Sequence, residues 1–278
     1  METGASKITH LQRKLLHTGM EVSDLVHDRP EYLHAIMCQL GLPRSRQEER
    51  TFERSVGRAS MMISAGKRAT RQGWADMPLP YGSKPRLAMI HLCSEAVRTQ
   101  SPIIDVSDGI VPFLRDMGMS ISGRSFRDFK NQMTYLAGCE MQFAWDAGDS
   151  IKQTRCAPVH SFQVWSDPFA SQSSFWPDEI QLGHEFFETL CAHAVPLDPR
   201  AVHALQHSAL AMDIYSWLAH RLCRVRTNTG LKLYWKNLRD QFGQEYKCPK
   251  DFKKKFAPAM RKVLTVYPTA NVRQEHGG

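Results

Sequence analysis

Arg127, Lys130, Asn131 and Thr134 stand at i, i+3, i+4 and i+7, the spacing of one helix face, and they are side-chain types that read nucleic acid. A guanidinium donates to the two acceptors of guanine and an asparagine amide pairs with the edge of adenine. A lysine meets phosphate oxygens as a point charge. The other face of the segment carries Phe126, Phe129, Met133 and Leu136, which gives one face for a core and one for a groove. A second segment repeats the plan with different chemistry: Phe252 and Phe256 turn inward while Lys250, Lys253, Lys254 and Lys255 present charge. Arg124 at the start of the first helix, Lys152 and Arg155 in the polar loop behind it, and Lys232 and Lys236 ahead of the second helix complete the candidate DNA contacts.

Other reactive side chains do not assemble. His203 and His207 have metal-ligand spacing on a helix but lack the glutamate of H-E-x-x-H, which favours a packing role. His184-Glu185 has no P-C-x-x-C partner, as a zinc deaminase would need. Asp105, Asp108 and Asp116 read as caps and surface charge. There is no G-x-x-x-x-G-K-[ST] loop for ATP, and no H-x-H cluster to serve a nicking tyrosine. The six tryptophans, scattered singly among apolar neighbours, read mostly as core, with stacking on unpaired bases as the alternative. No catalytic residue, metal ligand or cofactor is expected, and the chain reads as a binding protein and not an enzyme.

The charge is segregated. Residues 220–262 hold thirteen Lys and Arg against Asp240, Glu245 and Asp251, a net of +10, more than the +8 of the whole 278-residue chain. Residues 141–200 carry −5, and residues 44–71 hold eight bases against three acids. One-sided blocks of this kind are the electrostatic footprint of a polyanion partner. With 42% hydrophobic and 23% charged residues the chain can bury a sizeable core. No apolar run is long enough for a membrane span, and the first residues lack the pattern of a secretory signal. Seven cysteines, odd in number and never in a C-x-x-C pair, suit reduced thiols in a cytoplasm.

The elements that would position these side chains recur. Helical pieces line Leu11, Leu15 and Leu16, and then Tyr32, Leu33, Ile36, Met37 and Leu40; a Pro/Gly-rich link follows at residues 73–85. Then come a helix at about residues 86–98, a short strand at 102–106, a short helix at 108–117 and a third helix at 124–137. Strands at 141–145 and 159–165 flank a polar loop. Downstream the order returns: a long helix at 199–224, a strand at 231–235, a short helix ending near Gly243, a basic helix from about Pro249 that Pro258 should kink or shorten, and a strand at 263–267.

Phe113-Leu114-Arg115-Asp116 matches Asn237-Leu238-Arg239-Asp240 at an offset of 124, and Arg127-Asp128-Phe129-Lys130 matches Lys250-Asp251-Phe252-Lys253 at an offset of 123. We read this as an internal duplication. Helix, strand, helix, basic helix and hairpin is the order of a winged helix. The expected fold is therefore α+β and mostly helical: two tandem winged-helix domains, residues 78–196 and 197–278, joined by residues 175–199. A basic, partly helical N-terminal extension, residues 1–77, precedes them. The second wing is either incomplete or formed differently.

Several strings go further. They are Gly41-Leu42-Pro43-Arg44-Ser45, Phe52-Glu53-Arg54-Ser55 and Pro78-Leu79-Pro80-Tyr81-Gly82-Ser83-Lys84-Pro85-Arg86-Leu87, followed by Glu95-Ala96-Val97-Arg98-Thr99-Gln100-Ser101 and Phe113-Leu114-Arg115. Phe175-Trp176-Pro177, Asp213-Ile214-Tyr215-Ser216-Trp217-Leu218-Ala219 and Val266-Tyr267-Pro268 continue them. Over about residues 30 to 275 the chain resembles the plasmid-encoded RepA replication initiators. The resemblance implies a cytoplasmic, nucleoid- or plasmid-associated bacterial protein. Such a protein binds repeated double-stranded sites (iterons) at a plasmid origin, helps to melt it and recruits host initiator and helicase proteins. Self-association, host-protein docking or extra backbone contact is left for the N-terminal region. A winged-helix transcriptional repressor is the alternative reading, and a DNA-nicking enzyme a more remote one.

Overall fold

A computed structural model describes residues 9–24, 29–119, 122–159, 177–227 and 230–275. The N-terminal stretch supplies α1 (His10–Asp24), β1 (Glu31–His34), α2 (Ala35–Leu40), and two hairpins, β2 (Thr51–Val56) with β3 (Ala59–Ser64) and β4 (Lys67–Thr70) with β5 (Gly73–Asp76). Next follow α3 (Ser83–Thr99), β6 (Ile103–Asp105), α4 (Ile110–Asp116), α5 (Gly123–Gly138), β7 (Glu140–Asp146), β8 (Ile151–Cys156) and β9 (Glu179–Gln181). The chain continues with α6 (His184–His193), β10 (Ala194–Leu197), α7 (Pro199–Leu205), α8 (Ala209–Leu222), α9 (Trp235–Phe242) and α10 (Pro249–Val266). Helices and strands mix, with helices predominating.

The N-terminal stretch does more than the helical pieces expected of it. Residues 51–64 alternate strictly, with Phe52, Arg54, Ala59, Met61 and Ile63 buried, and Gly57 turns the hairpin at φ +58°. Strand β3 then pairs antiparallel with β7, so the sheet runs β2-β3-β7-β8. The stretch expected as the helix from Tyr32 to Leu40 is half strand: β1 pairs with β10, and only Ala35–Leu40 is helical. Helix α1 crosses to the other end of the chain and packs on α10, where a Cβ on Gly19 would fall 2.1 Å from the Thr265 carbonyl oxygen.

Other expectations are corrected as well. Residues 147–158, taken as a loop, contain β8, because Ala147 and Ser150 close a tight turn (N···O 2.9 Å) at Gly148, φ +95°. Lys152 and Arg155 are therefore strand residues. Of the strand expected at 159–165, Val159 is buried coil and the rest lies outside the described residues. The long helix at 199–224 is two helices, since Ser208 leaves the helix and its hydroxyl caps α8 through the Ala211 amide at 3.2 Å. The strands expected at 231–235 and 263–267 do not form. Leu231 to Tyr234 is unpaired coil, and Val263 and Val266 continue the buried row of α10 begun by Phe252, Phe256 and Ala259. Helical spacing against a core overrides β-branched propensity there. The described part of residues 175–199 is folded, not a linker: β9 pairs with β6, β10 pairs with β1, and Phe186 and Leu190 of α6 are buried.

Apolar residues of both paired strings are buried. Leu114 of α4 and Leu238 of α9 are buried, as are Phe129 of α5 and Phe252 of α10. Buried residues from Leu15 to Val266 form one hydrophobic core.

Candidate nucleic-acid interface

Helix α5 begins where Ser122 accepts the Ser125 amide at 3.3 Å. Phe129, Met133 and Leu136 point into the core, and Phe113 of α4 bridges Phe129 and His91 at ring distances of 6.1 and 4.8 Å. This fixes the rotation of the helix. Arg124, Arg127 and Asn131 are exposed and Lys130 is half-buried; none of the four side chains has an ion-pair or hydrogen-bond partner among the described residues. Thr134 is turned inward enough for its hydroxyl to donate to the Lys130 carbonyl at 2.9 Å. The one acid on the helix, Asp128, is drawn aside by Lys84 of α3 at 3.3 Å, which leaves the Arg/Asn row free of an internal anion.

Helix α10 runs from Pro249 to Val266 without interruption, so Pro258 does not shorten it. Pro258 lies on the exposed face, the solvent side of the helix, where losing one backbone donor costs least. Phe252 and Phe256 pack with Trp235 and Phe242, and Lys253 sits over the Trp235 ring at 4.5 Å. Lys250, Lys254 and Lys255 project to solvent, and Lys236 of α9 does the same. Lys232 is different, since Glu275 answers its charge at 3.1 Å.

The β7–β8 hairpin directly follows α5. Arg155 is locked in a bidentate pair with Glu140 at 2.5 and 2.6 Å, an arrangement that holds the Glu140 carboxyl below its usual range. Lys152 is exposed opposite Trp145 at the tip. Trp145 is 43% exposed, Ile151 is 73% exposed, and the Arg58 carbonyl accepts the Asp146 amide beside them at 2.9 Å. The expectation that the tryptophans are mostly core is corrected in part: Trp217 is buried and Trp235 half-buried, whereas Trp145 and Trp74 face solvent. Trp165 and Trp176 lie outside the described residues. His203 fills space against Gly118 and approaches Lys14 at 3.3 Å. The described residues contain no cluster of three or more metal-ligating side chains.

Five charged residues that sequence reasoning did not assign a role join α3 to α8 and β2 to the turn before α10. Arg86 of α3 makes a bidentate pair with Asp213 of α8 at 2.7 and 2.9 Å, and also donates to the carbonyls of Leu42 and Pro43. Gly41 passes this pair at φ +61°, so close that a Cβ would lie 2.9 Å from the Asp213 Oδ1. Glu245, just before α10, accepts from both Arg44 and Arg54. The only sequence signal was that all but Glu245 fall within the strings that carry the resemblance.

Solved structures share this architecture. A crystal structure of domains 2 and 3 of RctB, as a selenomethionine derivative, aligns with a TM-score of 0.53 at 14% identity, covering 82% of each chain. A second structure of RctB domains 2–3 aligns at 0.51 and 13%, again over 82% of each chain. At such identity the likeness is one of fold. No curated protein matches the chain. The family model described as plasmid encoded RepA protein matches residues 79–236, from the link before α3 to the second residue of α9. More than half of the sequence is thus accounted for, and the chain belongs to the plasmid-encoded RepA family.

Proposed function

We propose that this RepA-family chain is a plasmid replication initiator that binds repeated duplex sites at the origin through the exposed faces of α5 and α10, promotes opening and recruits host replication proteins. Each helix acts within a winged-helix-like unit. The observation that carries the reading is the outer row of α5: Arg124, Arg127, Lys130 and Asn131 have no partner among the described residues, on a helix whose opposite row buries Phe129, Met133 and Leu136. In α10 the exposed lysines suit phosphate rather than base edges. Arg155 and Lys232, already paired with carboxylates, play a lesser part. We read the protein as non-catalytic and bacterial cytoplasmic; no helix among the described residues is long and apolar enough to cross a membrane.

The test is a footprint on the cognate plasmid with permanganate probing of the bound origin. Protection of repeats together with reactive thymines supports initiation, and protection without reactivity supports a repressor. A salt-independent affinity removes the nucleic-acid reading, since neutralising about 6–10 phosphates gives a log–log slope of about −5 to −9. Conversion of supercoiled plasmid to open circles with a divalent metal would identify a nicking enzyme.

A further inference from the structure

Strands β4 and β5 form a two-stranded ribbon that pairs with no other strand among the described residues, although an isolated hairpin is marginal in water and its open edges are a liability. Its residues are mostly exposed: Lys67, Arg68, Arg71 and, at 73%, Trp74. The ribbon is nevertheless well defined. Thr70 donates its hydroxyl to the Gly73 carbonyl at 2.8 Å and accepts the Gln72 amide at 3.2 Å, shaping the turn. At the base, Met77 donates its amide to the Gly66 carbonyl at 3.1 Å. Arg50 grips Asp76 at 2.9 Å and the carbonyls of Ala65 and Gly66 at 2.8 and 3.1 Å. Lys67 lies 3.5 Å from the same Asp76 oxygen, so this one acid is shared between two cations, and the ribbon with Arg50 stays net basic.

The base is set against the end of α5. A Cβ on Gly66 would fall 1.8 Å from the Gly138 carbonyl oxygen, and one on Gly138 would meet the Met77 methyl at 1.9 Å. Two glycines in such contact fix the ribbon where α5 ends. Four residues per strand give it a reach of about 13 Å. The register puts Lys67 and Trp74 on one face and Arg68 on the other, with Arg71 in the turn. Cations on both faces suit an element that stands between two lines of phosphates.

We propose that the β4–β5 ribbon is a second contact to duplex DNA, gripping the sugar–phosphate backbone that flanks the α5 site on the side of the helix C-terminus. Lys67, Arg68 and Arg71 meet phosphates, and Trp74 lays its indole on the backbone wall and donates its N–H to a phosphate oxygen. This rests on the reading of α5 as a duplex-binding helix. Of the roles left open for the N-terminal region it selects extra backbone contact, through residues not among the candidate contacts, and it extends the bound tract on one side.

The experiment compares wild type, a Lys67→Gln/Arg68→Gln/Arg71→Gln variant, a Trp74→Ala variant and an Arg127→Ala/Asn131→Ala variant on origin duplexes across salt, with hydroxyl-radical footprints. All these side chains are at the surface, and circular dichroism verifies folding. The triple variant is expected to lower the salt slope by about 3 and shorten protection on one side only, with sequence preference intact. Trp74→Ala is expected to weaken affinity about tenfold with the slope unchanged. A triple variant with wild-type slope and footprint overturns the ribbon contact, even where Arg127→Ala/Asn131→Ala relaxes preference and so supports the α5 reading. Loss of affinity by the triple variant for single-stranded oligonucleotides alone also overturns it, in favour of an unpaired strand. A wild type without salt-dependent duplex binding overturns both readings.

Discussion

Arg54 on β2 places its Nη2 3.0 Å from the Glu245 Oε1, so a strand of the N-terminal sheet holds the turn that launches α10. Arg54 is 2% exposed; burial pulls its guanidinium down to about 10, still charged at neutral pH, and it also donates to the Leu40 carbonyl and the Gln244 side chain. Arg44 shares the same carboxylate, with its Nε at 3.1 Å. Glu245→Ala leaves two buried cations without their anion and should cost about 3–5 kcal/mol, as removal of one partner of a buried pair does. Denaturant unfolding measures it, and a loss below about 1 kcal/mol would mean that the contact does not hold the halves together.

The two basic helices should fail differently. On the proposed reading Arg127 and Asn131 contact base edges, so Arg127→Ala and Asn131→Ala should each cost roughly 1–3 kcal/mol of discrimination at particular positions of the site. Replacing Lys253, Lys254 and Lys255 together should weaken all sequences evenly and lower the salt slope by about 3. Competition binding with single-base variants of the site separates the outcomes. If the lysine variant lost specificity and kept its non-specific affinity, the roles would be reversed.

Rigidity at the Arg86–Asp213 and Arg54–Glu245 pairs makes a prediction about spacing. On the proposed reading α5 and α10, on one core, each take their own groove segment, roughly one turn or 10–10.5 bp apart, so one protomer should protect a bipartite site of about 20 bp. The halves need not be symmetric, which fits direct repeats. Inserting 5 bp between the protected halves rotates one by half a turn and should nearly abolish binding in a gel-shift titration. Unchanged affinity would show that only one helix touches DNA.

His34 predicts an acid weakness. It caps α2 by accepting the Ile36 amide on Nδ1 at 3.1 Å, and its Nε2 lies 3.1 Å from the Thr189 hydroxyl. Burial, aided by His193, lowers its pKa from 6.5 to about 4. An unfolded histidine titrates near 6.5, so between about pH 6.5 and 4 the unfolded chain binds a proton that the folded chain refuses. Stability is complete above this window and falls as pH drops through it, by about 2 kcal/mol from this residue between pH 7 and 5. His220, lowered to about 4 by burial and by Arg224 and Arg221, acts in the same direction. The readout is therefore the difference between wild type and His34→Asn, which retains a capping side chain. Urea unfolding at both pH values should show the variant losing about 2 kcal/mol less, and equal losses would contradict the assignment.

The sequence by itself determined the helices that carry the candidate site. The apolar row Phe129, Met133, Leu136 and the polar row Arg127, Lys130, Asn131 are local periodicities, set by side chains within two turns of one another. The likeness of Phe129 and Phe252 was legible for the same reason, and both are buried. Tertiary structure alone decided which β-branched or alternating stretches became strands. The alternation Ala59, Met61, Ile63 gains its meaning from β7, whose Phe143 faces Met61 across the sheet from more than eighty residues away. Val263 and Val266, equally strand-like, have no such partner and stay helical because the core beneath α10 accepts them at helical spacing. Charge pairing followed the same division. Arg44, Arg54, Arg86 and Asp213 stood in the sequence as family strings, and nothing local distinguishes them from DNA-facing charges. Burial made the difference: a guanidinium taken out of water needs a carboxylate and carbonyls in contact, and only the folded chain brings Asp213 to Arg86 across 127 residues.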